Sequence, residues 1–296
     1  MTSHSEPHPT PARSTARPEP EYARPGEIFA GAAGHYAASR PPYPDALIDR
    51  LEAFVHRFPG GRVLDLGTGP GVIALALAAR GIPVTAVDPS TDMLDEGRRQ
   101  ADQLRIRGIE WTEGSSYALP PVKDVCLTII GDAFHWMVPR AATLASLDRL
   151  IVRDGAVALL SRRWHGEPKL PWEPVLRRVR ERHLGTDLAA GPSGEPSRRE
   201  AGTHEQILAA SPFPHTHKES TDYELRLSVD QLVAWQFSHA QTSVAALGDR
   251  REAYEADLRR ELLALEPAGV LQTPSRAHLL IAARTPWSSL PGGRAR

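Results

Sequence analysis

The residues best placed to do chemistry lie in one short run, Val63-Leu64-Asp65-Leu66-Gly67-Thr68-Gly69-Pro70-Gly71. An apolar segment carrying an acid gives way to three alternating glycines. Glycines so spaced permit positive φ angles and let a ligand approach the backbone closely. Between a strand and a helix, such a ligand sits beyond the carboxyl end of the strand, where doubly wound sheets hold nucleotides. The dinucleotide fingerprint G-x-G-x-x-G places its third glycine one residue later, and a phosphate loop needs a Lys-Ser/Thr pair. Gly67, Gly69 and Gly71 meet neither pattern. A second acid, Asp88, closes Val84-Thr85-Ala86-Val87 about 20 residues further on, the spacing at which a carboxylate reaches ribose hydroxyls. With Pro89 behind it, Asp88 also suits a helix N-cap, and the two roles are compatible.

These residues need strands that end together and helices that start beside them, and the chain supplies both in alternation. Apolar runs at 62–66, 83–87, 109–112, 125–130 and 156–160 read as buried parallel strands. Helical spacing fills 72–80, 92–104 and 141–152 between them. Upstream, 29–38 suits a short helix, Arg40-Pro41-Pro42-Tyr43-Pro44 breaks it, and Asp45 stands as N-cap of a helix carrying Leu47, Leu51 and Phe54. The alternation calls for an α/β fold with helices on both faces of a parallel sheet. Past Ser161 the pattern changes: helices at 171–183, 204–210, 228–247 and 249–265, strands at 223–229 and 277–283, and a Gly/Pro/Ser/Arg-rich loop at 189–203.

Together the segments from about Tyr36 to Arg163 resemble class I S-adenosylmethionine (SAM)-dependent methyltransferases. The resemblance implies a Rossmann-like, doubly wound seven-stranded sheet whose last strand is antiparallel, with a helical substrate lid. It implies SAM as cofactor, with Asp65, Gly67, Thr68, Gly69 and Gly71 organising the loop around the methionine and ribose and Asp88 on the ribose. Pro89 and Met93 would lie near the adenine. Glu113-Gly114-Ser115-Ser116-Tyr117-Ala118-Leu119-Pro120 matches a segment in which the family commonly has Gly-Asp-Ala before Leu-Pro, so Ser115 stands where an acid takes the adenine amino group. A serine hydroxyl offers an uncharged acceptor there, and Ser116 completes the segment. Gly131-Asp132-Ala133-Phe134-His135-Trp136, with Arg40-Pro41-Pro42-Tyr43-Pro44, is similar to a bacterial subgroup of trans-aconitate methyltransferase-like small-molecule enzymes. In that subgroup the loop borders the transferred methyl group, placing Asp132 and Ala133, with Tyr36 and Arg40, at the cofactor.

Methyl transfer from a sulfonium is an in-line displacement, so the protein supplies alignment, desolvation and at times a base. His135 titrates near neutrality and is a candidate base; a loop-orienting histidine is the alternative. Glu173, in a segment with aromatic neighbours, is a second candidate, suited to carbon methylation. Tyr43, Trp136, Trp164 and Arg198 are candidate acceptor contacts, an arginine being suited to a carboxylate or diphosphate; each also fits packing or a solvated surface. The implied function is methylation of a small molecule, expected in secondary metabolism. Three alternatives stay open: carboxyl methylation of an organic acid, carbon methylation of an isoprenoid diphosphate with cations such as Arg162, Arg163, Arg198 or Arg199, and SAM binding without catalysis.

Composition narrows the partners. The 296 residues carry 35 basic and 36 acidic side chains, a net charge of −1, which gives no field for nucleic acid or an anionic membrane. A single cysteine, Cys126, suits a reducing compartment, and a cytoplasmic location is expected. His215-Thr216-His217 lacks the further ligands of a metal site, and none is expected. Residues 1–26 and 288–296 read as tails, 27–287 as the methyltransferase domain and 164–221 as its lid insertion, with the oligomeric state left open.

Overall fold

The computed structural model describes residues 33–163, 169–186, 202–239 and 242–286. Both expected tails, most of the 189–203 loop and the candidate contacts Trp164 and Arg198 lie outside them.

Runs too apolar to face water set the middle of the molecule. β1 (Arg62–Leu66), β2 (Val84–Asp88) and β4 (Val125–Gly131) are buried almost end to end, as strands covered on both faces must be. With β3 (Ile109–Glu113), β5 (Ile151–Ser161), β6 (His215–Ser228) and β7 (Val270–Ala283) they form one seven-stranded sheet in the order β3-β2-β1-β4-β5-β7-β6. β1 to β5 run parallel, and β7 runs antiparallel to both of its neighbours. This is the Rossmann-like arrangement, with the chain reversing direction across the sheet between β1 and β4. Leu47, Leu51 and Phe54 of α2 (Asp45–Val55) pack with Ile73 and Leu77 of α3 (Val72–Ala78) in one apolar cluster. Leu144 and Leu147 of α5 (Arg140–Asp148) join Phe134, Leu208 and Phe213 in another. Cys126 is fully buried, and burial raises its thiol to about 11. No helix among the described residues is long and apolar enough to cross a membrane.

Several boundaries differ from the sequence expectation. Pro44, not Asp45, is the N-cap of α2; Asp45 sits in the first turn, where its charge suits the helix dipole and pairs with Arg80. The helix expected to reach 152 ends at Asp148, because Ile151 already pairs with Val125 of β4. The helix expected over 228–247 is two, α8 (Val229–Phe237) and α9 (Val244–Leu247). β6 and β7 are each 14 residues long, about twice the expected length. The first half of β6, His-Thr-His-Lys-Glu-Ser, alternates between exposed and half-buried at a sheet edge, so its polarity hides it from an apolar-run criterion.

The outer halves of β6 and β7 extend past the end of β5 and carry a second core. Leu225, Leu227 and Leu271 meet Trp172, Val179 of α6 (Glu173–Leu184), Leu232 and Phe237 of α8, and Tyr254, Leu258 and Leu262 of α10 (Arg251–Leu265). Each side chain fully buried in this cap stabilises the fold by about 1.5–3 kcal/mol. α1 (Ala33–Ser39) lies between the layers, packed on α8 and touching α4 (Thr91–Leu104). α7 (His204–Ala209) packs instead against the sheet through Leu208, and β6 begins within the span expected for the lid.

Candidate active site

The glycine loop leaves β1 at Leu66 and enters α3 at Val72. Its first and last glycines are required for different reasons. Gly67 has φ +71°, and a Cβ there would lie 2.8 Å from Ala133 Cβ, so the loop and the turn after β4 touch only because it has none. Gly71 has φ +81°, and its Cβ would strike the Trp111 ring at 2.3 Å; this glycine serves packing under the loop.

Two carboxylates brace the loop. Asp65 points behind it, almost fully buried, accepting hydrogen bonds from Thr68 Oγ1 (2.6 Å) and the Ala74 amide (3.2 Å) through Oδ2. Its Oδ1 is buried with no hydrogen-bond partner, and burial lifts the carboxyl to about 7. Asp88, at the end of β2, accepts from the Gly69 amide (2.8 Å) through Oδ2 and from the Ser90 amide (2.9 Å) through Oδ1. Burial raises its pKa and the two amides oppose the rise. Ser90 rather than Asp88 is the N-cap of α4, accepting from the Met93 amide.

A cavity opens in front of the loop. Leu66, Gly67 and Gly69 form one wall, Asp88, Pro89 and Met93 the next, and Gly114, Ser115, Ser116 and Tyr117 the third. Gly131, Asp132, Ala133, Trp136 and Met137 close it from β4, and Tyr36 of α1 covers it. The cavity thus gathers ten of the fourteen residues expected at the cofactor: Tyr36, Gly67, Gly69, Asp88, Pro89, Met93, Ser115, Ser116, Asp132 and Ala133, with Trp136 of the acceptor set. Thr68 turns back to Asp65, Gly71 packs on Trp111, and Asp65 and Arg40 do not line the cavity. Tyr117 and Met137 were not foreseen. Tyr117, beside Ser115 and Ser116, was within reach of the motif; nothing in the sequence marks Met137.

The other candidates fall outside this wall. His135 is exposed, its ring 5.0 Å from that of Trp136. Glu173 accepts a hydrogen bond from Arg163. Tyr43 is buried beneath the turn after β4 and joins an ionic cluster that sequence did not reveal: its hydroxyl donates to Asp132 Oδ2 (2.9 Å), and Arg162 donates to the same oxygen (2.7 Å). Ser161 Oγ donates to Asp132 Oδ1 (2.8 Å), and Arg162 Nε to the Pro41 carbonyl (2.8 Å). Asp132 holds φ +50°, a conformation costing about 1 kcal/mol or more, with three side-chain partners, Tyr43, Arg162 and Ser161, around it. Arg162 and Arg163 are therefore engaged by Asp132 and Glu173, which neutralises these two of the four cations expected for a diphosphate; Arg198 and Arg199 lie outside the described residues.

The residues of the cavity suit SAM. The carboxylate of Asp88 faces it for a ribose, Pro89 and Met93 provide apolar surface for a base, and Gly67 and Gly69 bring bare backbone to its floor.

The family described as a methyltransferase domain matches residues 63–155. An uncharacterized methyltransferase of Mycobacterium tuberculosis is 31% identical over 245 residues, covering 81% of this chain and 87% of that protein. Malonyl-[acyl-carrier protein] O-methyltransferase of Serratia marcescens is 34% identical over 135 residues, 45% of this chain and 50% of that protein. A solved structure from Anaeromyxobacter dehalogenans, assigned as a type II methyltransferase, superposes with a TM-score of 0.49 at 23% identity, covering 82% of this chain and 95% of that one. A glycine loop at the end of β1, an acid at the end of β2 and this likeness along most of the chain make it a member of the class I SAM-dependent methyltransferases.

Proposed function

We propose that the enzyme methylates a small-molecule acceptor, in secondary metabolism, within residues 27–287. The observation that supports this most is the lining of the cavity: the aromatic side chains of Tyr36, Tyr117 and Trp136 share it with Asp88, a mixture of apolar walls and few polar groups that suits a small molecule. When bound, SAM supplies an activated methyl group on a sulfonium. The chain's own residues then divide the remaining tasks. Asp88 receives the ribose hydroxyls; Met93 and Pro89 contact the adenine, with Ser115 and Ser116 beside it. Gly67 and Gly69 admit the methionine, while Asp65 and Thr68 hold the loop in shape. Asp88, which has no ion pair among the described residues, gives the cavity a negative charge that favours a cationic cofactor, the charge of Asp132 being met by Arg162. Trp136 and Tyr36 exclude water from the reacting centre and align the acceptor. His135 lies outside the lining, and its nearness to Trp136, with 5.0 Å between the rings, supports a role in taking the acceptor's proton where there is one to lose.

The test incubates the protein with methyl-labelled SAM and an extract of the producing cell and follows the label. Label in a small organic product supports the proposal, and its fragmentation distinguishes oxygen, nitrogen and carbon methylation. Label confined to protein or RNA overturns it. The same assay on His135→Ala checks the base: turnover falls more than SAM affinity if His135 moves the proton, and equal losses reassign it to binding.

A further inference from the structure

Arg178, Arg182, Arg259 and Arg260 of the cap are matched to acids, whereas Arg180 and, beside the cap, Arg40 each bury a guanidinium nitrogen without a partner. On α6, Arg178 pairs with Glu261, and Arg182 with Asp257 and Glu261, both on the face turned to α10. Arg180, midway between them, projects from a different side of the same helix. It has no ion pair among the described residues, and its Nε is buried without a hydrogen-bond partner. Arg40, just after α1, is in the same condition: its Nε is buried and unpartnered. Its guanidinium lies 4.5 Å from the Tyr36 ring centre and 5.4 Å from that of Trp235 on α8. The Trp235 indole Nε1 is a third buried donor with no acceptor. The three belong to one neighbourhood: the His239 ring stacks on Trp235 with 6.3 Å between centres, and the charges of both Arg40 and Arg180 reach His239.

Buried donors without acceptors are costly, the more so when charged, and guanidiniums in one neighbourhood repel. A fold keeps such an arrangement when something else completes it. Guanidinium donors suit the oxygens of a carboxylate or phosphate. Tyr36 separates this cluster from the cofactor cavity, so a ligand anchored on Arg40 and Arg180 extends past the Tyr36 ring toward the methyl group. We infer that Arg40, Arg180 and Trp235 form an oxyanion site that anchors the methyl acceptor, which therefore carries a carboxylate or phosphate away from the atom being methylated. This rests on the cavity being the methyl-transfer site proposed above.

Calorimetry on the full chain tests it with sodium citrate and sodium diphosphate as probes, titrated into protein saturated with S-adenosylhomocysteine; SAM alone is titrated separately. The expected result is that at least one probe binds the wild-type complex, that Arg180→Gln weakens it about tenfold or more, and that Arg180→Lys recovers part of the loss. SAM affinity of Arg180→Gln stays within about twofold of wild type. Failure of both probes to bind, or equal binding by Arg180→Gln, overturns the inference. So does a tenfold loss of SAM affinity in Arg180→Gln, which would assign the site to the cofactor's own carboxylate. Failure of wild-type protein to bind SAM would sink the proposed function itself, whereas SAM binding without probe binding sinks this inference alone.

Discussion

Asp65 and Asp88 end up on opposite sides of the same loop, and their environments separate their tasks. Asp88 lines the cavity with its carboxylate steadied by two amides. Asp88→Asn keeps the shape and removes the charge; the expected outcome is SAM affinity about tenfold weaker with an unchanged circular dichroism spectrum, read by calorimetry. Asp65 is harder to ionise folded than unfolded, because burial raises it to about 7 from an ordinary value near 4. The folded state therefore holds a proton that the unfolded state has released between those values, and the ligand-free protein loses stability from this group as pH rises from about 4 to about 7. Asp65→Asn has no such proton, so urea midpoints measured across that range should show a shallower fall than wild type. An equal slope would locate the dependence elsewhere. Both acids were legible because Asp65 interrupts an apolar run just ahead of the glycines and Asp88 closes one before a proline. Asp65's missing partner and Thr68's inward turn were not, since they depend on where the α3 backbone lies.

At the scale of elements, the cofactor loop hangs on contacts between segments far apart in sequence. Arg162, at the end of β5, ties Asp132 after β4 to Tyr43 and the Pro41 carbonyl before α2. Removing one partner of a buried pair leaves the other charge without compensation, which costs about 3–5 kcal/mol. Arg162→Met is expected to lower stability by about that amount in urea unfolding and to make residues 33–44 a site of early proteolysis. Asp132→Asn with Arg162→Met should recover much of the loss, because the unpaired charge goes with it. The strand–helix alternation through β5 was readable from apolar runs, as continuous burial leaves little room for polar residues. The β6–β7 pair was half missed for the converse reason: its edge residues share their exposure with water, and 14 paired positions leave only a short apolar stretch to notice.

At the scale of the molecule, two cores share one sheet. The cap cluster around Tyr254, Leu258 and Leu262 is joined to the main clusters through β6 and β7, so the two should unfold together. Leu258 is fully buried, and Leu258→Ala should cost about 2–5 kcal/mol. The expected signature is a single transition at lower temperature, coincident by far-ultraviolet circular dichroism and tryptophan fluorescence. Two separated transitions would make the cap an independent unit. Nothing in the sequence announced the cap as a layer, because its residues come from four separate stretches that meet only once β6 and β7 pair.

The unbroken pairing from His215–Ala283 to Ser228–Val270 also decides how the enzyme can move. A lid on a loop swings like a door. Here the cap is mounted on a stiff double-stranded spring clamped along β5, with no hinge between mount and base. Its easy motion is torsion, and torsion at the free end carries α8, against which α1 leans with Tyr36 at its inner side. Opening the acceptor side then loosens the cofactor's cover in the same stroke, so substrate admission and cofactor retention are mechanically opposed, and exchange of the two ligands should fall into step rather than proceed independently.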